Sequence, residues 1–197
     1  MTSFQTLRTD VSDRVATIWL NRPERRNAFS SVMTRELYEA FALFESAEDV
    51  RAIVVTGTGR YFSAGADLER GGQTFNRPAD AAPAATDPAG RIFSGTEAAE
   101  MGLVSRALPA ADVLPAAQEF ARDLADNTSA VSVAATKALV YGALERGRGA
   151  AHEREHEVFR WMGRQADAAE GVTAFLEKRA PQWPLSKVKD YPPMLSE

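Results

Sequence analysis

The sequence predicts an α/β fold with a helical C-terminal region. Three observations carry this. Residues 4–56 read as strand, strand, helix, strand in that order. The chain after residue 108 holds successive amphipathic helical patterns. Between the two lies a bend of small residues, Gly57 to Leu68, directly after the third strand.

Phe4 to Thr9 and Val15 to Leu20 are rich in β-favouring residues, and Ser12-Asp13-Arg14 supplies a turn between them, so a hairpin is expected. Pro23 ends regular pairing. Ser30 or Ser31 can cap a helix over about residues 32–46. Its apolar face comprises Met33, Leu37, Ala40, Phe41 and Phe44, spaced as one helical stripe. The apolar run Ala52-Ile53-Val54-Val55 then reads as a buried strand running into Gly57-Thr58-Gly59.

From Gly71 to Gly90 the chain is rich in Ala and Pro and shows neither strand alternation nor a helical face, which predicts a loop or linker. Beyond it, Thr96 is the expected cap of a short helix ending at Gly102, followed by a short strand, Leu103 to Leu108. Four helices are expected next. The first lies near 111–126, with Val113, Ala117, Phe120, Ala121 and Leu124 inward. Another covers about 130–145, with Ala134, Ala138 and Leu139 inward, and a third runs from about 149 to 164. The last, 168–179, starts with Asp167 and Glu170 in capping-box spacing. Four prolines keep the tail out of a helix. The division expected is residues 1–108 as an α/β core, with 70–90 as a loop or deletion junction, and 109–197 as a helical region.

Composition excludes several classes of function. The chain has 197 residues, 45% hydrophobic and 25% charged, which is ordinary for a soluble globular protein. A net charge of -4 argues against nucleic acid as the main partner. No cysteine is present, so disulfides and thiolate catalysis are ruled out. No secretory signal pattern and no membrane-length apolar run are visible, and the expected location is the cytoplasm.

The bend carries the chemistry. Ser63-Ala64-Gly65-Ala66-Asp67 is nearly free of bulk, which lets a ligand approach the main chain and leaves N–H groups unshielded. Asp67 can begin a short helix, and N–H groups at a helix start favour a negative oxygen. Oxyanion stabilisation by backbone donors is therefore one reading; a plain strand–loop–helix connection is the other. Four stretches stand in order along the chain: Asn21-Arg22-Pro23-Glu24-Arg25-Arg26-Asn27-Ala28, Phe62-Ser63-Ala64-Gly65-Ala66-Asp67-Leu68, Glu97 to Val104, and Glu170 to Arg179. Together they resemble the motifs of the enoyl-CoA hydratase/isomerase (crotonase) family. The resemblance implies a crotonase-like ββα spiral core, here incomplete, with a C-terminal region that makes oligomer contacts.

It also implies acyl-CoA thioesters as ligands, with coenzyme A part of the substrate and no separate cofactor or metal. Fatty acid metabolism is the setting implied, with water addition to a 2-enoyl-CoA as the parent activity. By motif match, the Ala66 N–H is one oxyanion-hole donor, and Ala64 sits where adenine lies against the main chain. Arg25, Arg26 and Ala28 border the CoA nucleotide, as do Asp67 and Leu68 on the bend. Guanidinium groups suit phosphate and stack on adenine, although an Arg-Arg pair is also ordinary surface. Phe175 and Lys178 match a C-terminal helix, often a neighbouring subunit's, that closes over adenine and the 3′-phosphate; three residues apart, they can share a helix face. The assembly implied is a homotrimer or a hexameric dimer of trimers.

One part is missing. The family places its acid/base carboxylates, and a second donor at a Gly-rich helix start, between the Ala-Gly-Ala-Asp and Gly-Leu-Val motifs. The resemblance implies that roughly 70–80 residues are absent there, about half an average domain. Glu97 and Glu100 lie near the join and receive no catalytic role. The alternative is a non-catalytic acyl-CoA-binding or assembly subunit. A further alternative is a zinc hydrolase, because His152-Glu153-Arg154-Glu155-His156 spells H-E-x-x-H, with Glu170 as a remote third ligand.

Overall fold

The computed structural model describes residues 3–67 and 93–195. Leu68 and the stretch 70–90 lie outside the described residues. The expected α/β architecture is present. Strands β1 (Leu7–Ser12) and β2 (Val15–Leu20) form the hairpin. Asp13 and Arg14 between them are left-handed, at φ 50° and 62°. Two such residues make a tight turn whose twist matches that of the strands. β1 starts three residues later than the sequence predicts. Glu36 is the cause: its carboxylate takes the Gln5 and Thr6 N–H groups at 2.7 and 2.8 Å, so they are spent before the strand begins.

Helix α1 (Ser31–Ser46) is capped by Ser30, whose Oγ accepts from the Met33 N–H at 3.2 Å. Met33, Ala40 and Phe44 are buried as expected, but Phe41 is exposed and Glu36 takes a place on the inward face. Burial pushes the Glu36 carboxyl up; hydrogen bonds from the Thr6 hydroxyl and from the Gln5 and Thr6 amides outweigh it and hold it below the usual range. Strand β3 (Ala52–Gly57) completes a three-stranded sheet in the order β1-β2-β3. The Arg51 N–H donates to the Arg14 carbonyl at one end and the Thr58 N–H to the Leu20 carbonyl at the other. Both chains advance together, so β2 and β3 run parallel, with α1 as the crossover. Ala16, Ile18 and Leu20 are wholly buried, as befits a central strand covered on both faces.

The described residues within Met1–Val11, Ala16–Ala42 and Ile53–Glu119 form one compact unit. Those within Ser12–Val15, Leu43–Ala52 and Phe120–Glu197 form another. In the first, α2 (Gly95–Glu100) is capped by Ser94, not Thr96, through a reciprocal capping box with Glu97. The expected strand 103–108 is not formed. The Leu103 and Val104 N–H groups both turn back to the Ala98 carbonyl, which closes the helix and leaves no ladder donors there.

The remaining helices are α3 (Ala110–Asn127), α4 (Ala130–Ala143), α5 (Arg148–Met162) and α6 (Ala166–Glu177). Their inward faces differ from expectation. In α3, Ala121 is buried as expected and Ala125 joins it, while Val113, Phe120 and Leu124 are exposed. In α4, Ala130, Val131 and Ala135 are buried, whereas Ala134, Ala138 and Leu139 are only half-buried. Small residues let helices approach closely, so in α3 the alanines turn inward and the bulky residues face out. Asp167 does not cap α6. It is buried, accepts from the Ser129 hydroxyl at 2.5 Å and from the Leu185 N–H at 3.1 Å, and thereby fixes the Ser129 cap of α4. Among the described residues no helix is long and apolar enough to cross a membrane.

Candidate active site

The bend that follows β3 lies against the loop that follows β2. Pro23–Arg25 form a single 3₁₀ turn after β2. Arg26 and Asn27 then adopt left-handed conformations, at φ 50° and 55°. This reverses the chain and sets Phe29 beside Ala66 in a parallel bridge. The Phe29 N–H donates to the Gly65 carbonyl at 2.8 Å, and the Asp67 N–H donates to the Phe29 carbonyl at 3.0 Å. Both bonds flank Ala66 and neither uses its amide. Among the described residues no hydrogen bond takes the Ala66 N–H. The Ala64 N–H, by contrast, is spent on the Arg26 carbonyl at 2.9 Å.

Arg22 clamps the two loops. Its Nη1 donates to the Ala28 carbonyl at 2.9 Å and to Asp67 Oδ2 at 2.8 Å. The Arg22 and Asp67 side chains are 15% and 12% exposed, so this ion pair is shielded from solvent and holds more firmly than a surface pair. Ala28 is buried beneath it. Arg25 and Arg26 are exposed. The Arg26 and Arg60 guanidinium carbons each lie 5.6 Å from the Tyr61 ring centroid, within cation–π range. The site therefore combines an open amide with several cations around an exposed aromatic ring.

Of the predicted site residues, Arg25, Arg26, Ala28, Ala64, Ala66 and Asp67 fall in the first compact unit. Leu68 lies outside the described residues. Phe175 and Lys178 belong to the second unit. They do not share a helix face: α6 ends at Glu177, and Lys178 is its left-handed cap at φ 53°. Phe175 is 82% exposed. Arg22 and Asn27 carry no individual role in the sequence pattern, and Ser63 and Gly57 enter it only as members of the small-residue bend. For Asn27 the signal lies in its residue type, because Asn tolerates the left-handed region and serves as both donor and acceptor.

The H-E-x-x-H pattern lies on α5. The His152 and His156 rings are 5.9 Å apart at their centroids, and His152 contacts Glu155 at 3.8 Å. Glu170, the remote third ligand, is committed elsewhere. The Arg179 guanidinium grips it at 2.6 and 2.9 Å and the Gln182 N–H adds a third bond, which together lower its pKa to about 2. Among the described residues no group of three His, Cys, Asp or Glu is placed to hold a metal.

The enoyl-CoA hydratase/isomerase family model matches residues 10–89 and 88–185. The chain belongs to that family. A probable enoyl-CoA hydratase of Mycobacterium bovis is 26% identical over 254 aligned positions, spanning 92% of this chain and 98% of the relative. A human mitochondrial Delta(3,5)-Delta(2,4)-dienoyl-CoA isomerase is 42% identical over 67 residues, 34% of this chain and 20% of its own. Among solved structures, a probable enoyl-CoA hydratase/isomerase from Mycobacterium abscessus superposes with a TM-score of 0.80. It is 25% identical, and the match spans 90% of this chain and 98% of that one.

Proposed function

We propose that the chain binds acyl-CoA thioesters and that the Ala66 N–H donates to the thioester oxygen. The single observation that carries this is the amide left over by the Phe29–Ala66 bridge: its neighbours on both sides are anchored while it remains open. A preorganised donor of this kind is worth roughly 3–4 kcal/mol where a negative oxygen develops. Arg25 and Arg26 supply cations for the CoA phosphates, and exposed Ala64 gives adenine a flat approach, with buried Ala28 backing the loop that borders the nucleotide. Asp67, held by Arg22, continues that border. Phe175 and Lys178 serve a neighbouring protomer's nucleotide in a homo-oligomer.

The parent reaction is hydration of a 2-enoyl-CoA: water adds across the double bond, with its oxygen on the β-carbon and a proton on the α-carbon. The oxyanion donor stabilises the enolate between these events. This chain lacks the other half of that machinery. Its 92% share of the Mycobacterium bovis match is about 181 residues, against 254 aligned positions, so some 70 positions face no residue here. The family match also falls into two pieces that meet at 88–89. Both facts support the loss of an internal segment, and with it the expected carboxylates and second donor.

Two measurements test the reading. Calorimetry should show crotonyl-CoA binding that Ala66→Pro weakens at least tenfold, because proline has no N–H. Crotonyl-CoA incubated with the purified chain should yield little or no 3-hydroxybutyryl-CoA. Turnover at ordinary enzyme rates, about 1–1,000 per second, would refute the loss of the catalytic half. Unaltered binding by Ala66→Pro would refute the donor.

A further inference from the structure

We propose that Asn27 is a positioning residue for the Ala66 amide, holding the bend in shape without reaching the ligand. The proposal rests on the Ala66 reading above. Asn27 is wholly buried. Its Oδ1 accepts from the Arg22 N–H at 2.9 Å. Its Nδ2 donates to the Thr58 carbonyl at 2.9 Å and to the Tyr61 carbonyl at 2.7 Å. One side chain thus fastens the start of the first loop to two points of the second.

Its main chain extends the link to the bend. The Asn27 carbonyl accepts from the Ser63 hydroxyl at 2.9 Å, and Ser63 Oγ accepts in turn from the Gly65 N–H at 3.1 Å. Gly65 is left-handed at φ 89°, and its carbonyl receives the Phe29 N–H. A continuous hydrogen-bonded path therefore runs from the end of β3, through Asn27 and Ser63, to the residue before Ala66. Space around the amide group is equally fixed. A Cβ on Gly57 would stand 2.7 Å from Asn27 Nδ2 and 2.4 Å from the Tyr61 carbonyl oxygen, so only glycine lets the two loops close.

Asparagine alone meets the demand. The position needs two donors, one acceptor, a short side chain and a left-handed backbone. Asp supplies the backbone and the acceptor but no donors. Gln supplies the groups one methylene too far out. Losing a buried amide's partners leaves the Thr58 and Tyr61 carbonyls unpaired, and the loop must shift to re-solvate them. An amide moved by about 1 Å loses much of its value to a developing oxyanion.

The test compares crotonyl-CoA with the thioether analogue that lacks its carbonyl, by calorimetry on the full chain. The wild type should prefer the thioester at least tenfold. Asn27→Asp keeps the acceptor and the backbone geometry and loses both donors; it should erase that preference while the thioether binds as before. Ser63→Ala removes one hydroxyl from a half-buried position, leaves folding intact, and should cut the preference about fivefold. Amide exchange at 63–67 should quicken in both variants. Folded variants that keep the wild-type preference overturn the positioning role of Asn27 alone. A wild-type chain that binds both ligands equally overturns the Ala66 reading and this proposal with it.

Discussion

Two regions of this chain hold themselves together in opposite ways. Around Asn27 and Ala66 the loop after β2 and the bend after β3 satisfy each other's polar groups, and the bend is closed by hydrogen bonds of 2.7–3.1 Å. Along α4 and α6 the backbone is just as regular, yet bulky apolar side chains face outward: Tyr141, Leu144, Val172, Phe175 and Leu176 are all exposed. A polar knot is complete within one chain, because hydrogen bonds saturate. An apolar face is complete only when something covers it. The contrast separates a region satisfied within the chain from one that leaves apolar surface open.

The largest effect is expected from forcing the knot open. Gly57→Ala puts a Cβ where the Tyr61 and Phe62 carbonyls already stand, at 2.4 and 2.6 Å. Thermal unfolding should show a loss of about 2–3 kcal/mol, the scale of overpacking a tight site. An unchanged melting temperature would mean the loops are not locked together. Next comes the buried carboxylate of α1, Glu36. Glu36→Gln weakens three bonds to Gln5 and Thr6, and a loss of about 1–3 kcal/mol in chemical denaturation is expected.

The apolar faces should respond in mass rather than in stability. Phe175→Asp with Leu176→Asp is expected to shift sedimentation towards monomer without lowering the melting temperature, since neither side chain is covered by its own chain. A self-association unmoved by the pair would remove α6 from the oligomer contact. The smallest effect belongs to Glu170. Its pKa is lowered to about 2 from an ordinary 4.5 by Arg179 and Gln182. A lowered pKa stabilises the fold above the unfolded value, and that stabilisation drains away as pH falls from about 4.5 towards 2. Glu170→Gln should therefore flatten the melting profile in that window and leave it little changed in slope above it.

The same contrast explains what could be read from the residues. The hairpin, α1 and β3 were legible because alternation and helical spacing act locally, and the Gly57–Asp67 bend was legible from its lack of bulk. Asn27 was visible only as part of a motif, since its partners Thr58 and Tyr61 lie 31 and 34 residues away. The strand expected at 103–108 failed because β-favouring residues need a neighbour, and the Ala98 carbonyl competed for the first two amides. The inward faces of α3 and α4 were misread for a related reason. In α3, bulky residues such as Phe120 mark a face to be covered but do not say by what, whereas Ala121 and Ala125 fit the close packing inside the chain; in α4 the alanines recur all round the helix, so spacing alone does not choose among them. Asp167 looked like a cap by spacing, and its true partners, Ser129 and Leu185, are distant in sequence.

The most direct test is the carbonyl stretching frequency of isotope-labelled crotonyl-CoA bound to the protein. A hydrogen bond from Ala66 lengthens the thioester C=O, so the band should move to lower frequency on binding and return to its free position with Ala66→Pro. A bound ligand whose band stays where it lies in solution, in the wild-type chain, would contradict the assignment of that amide.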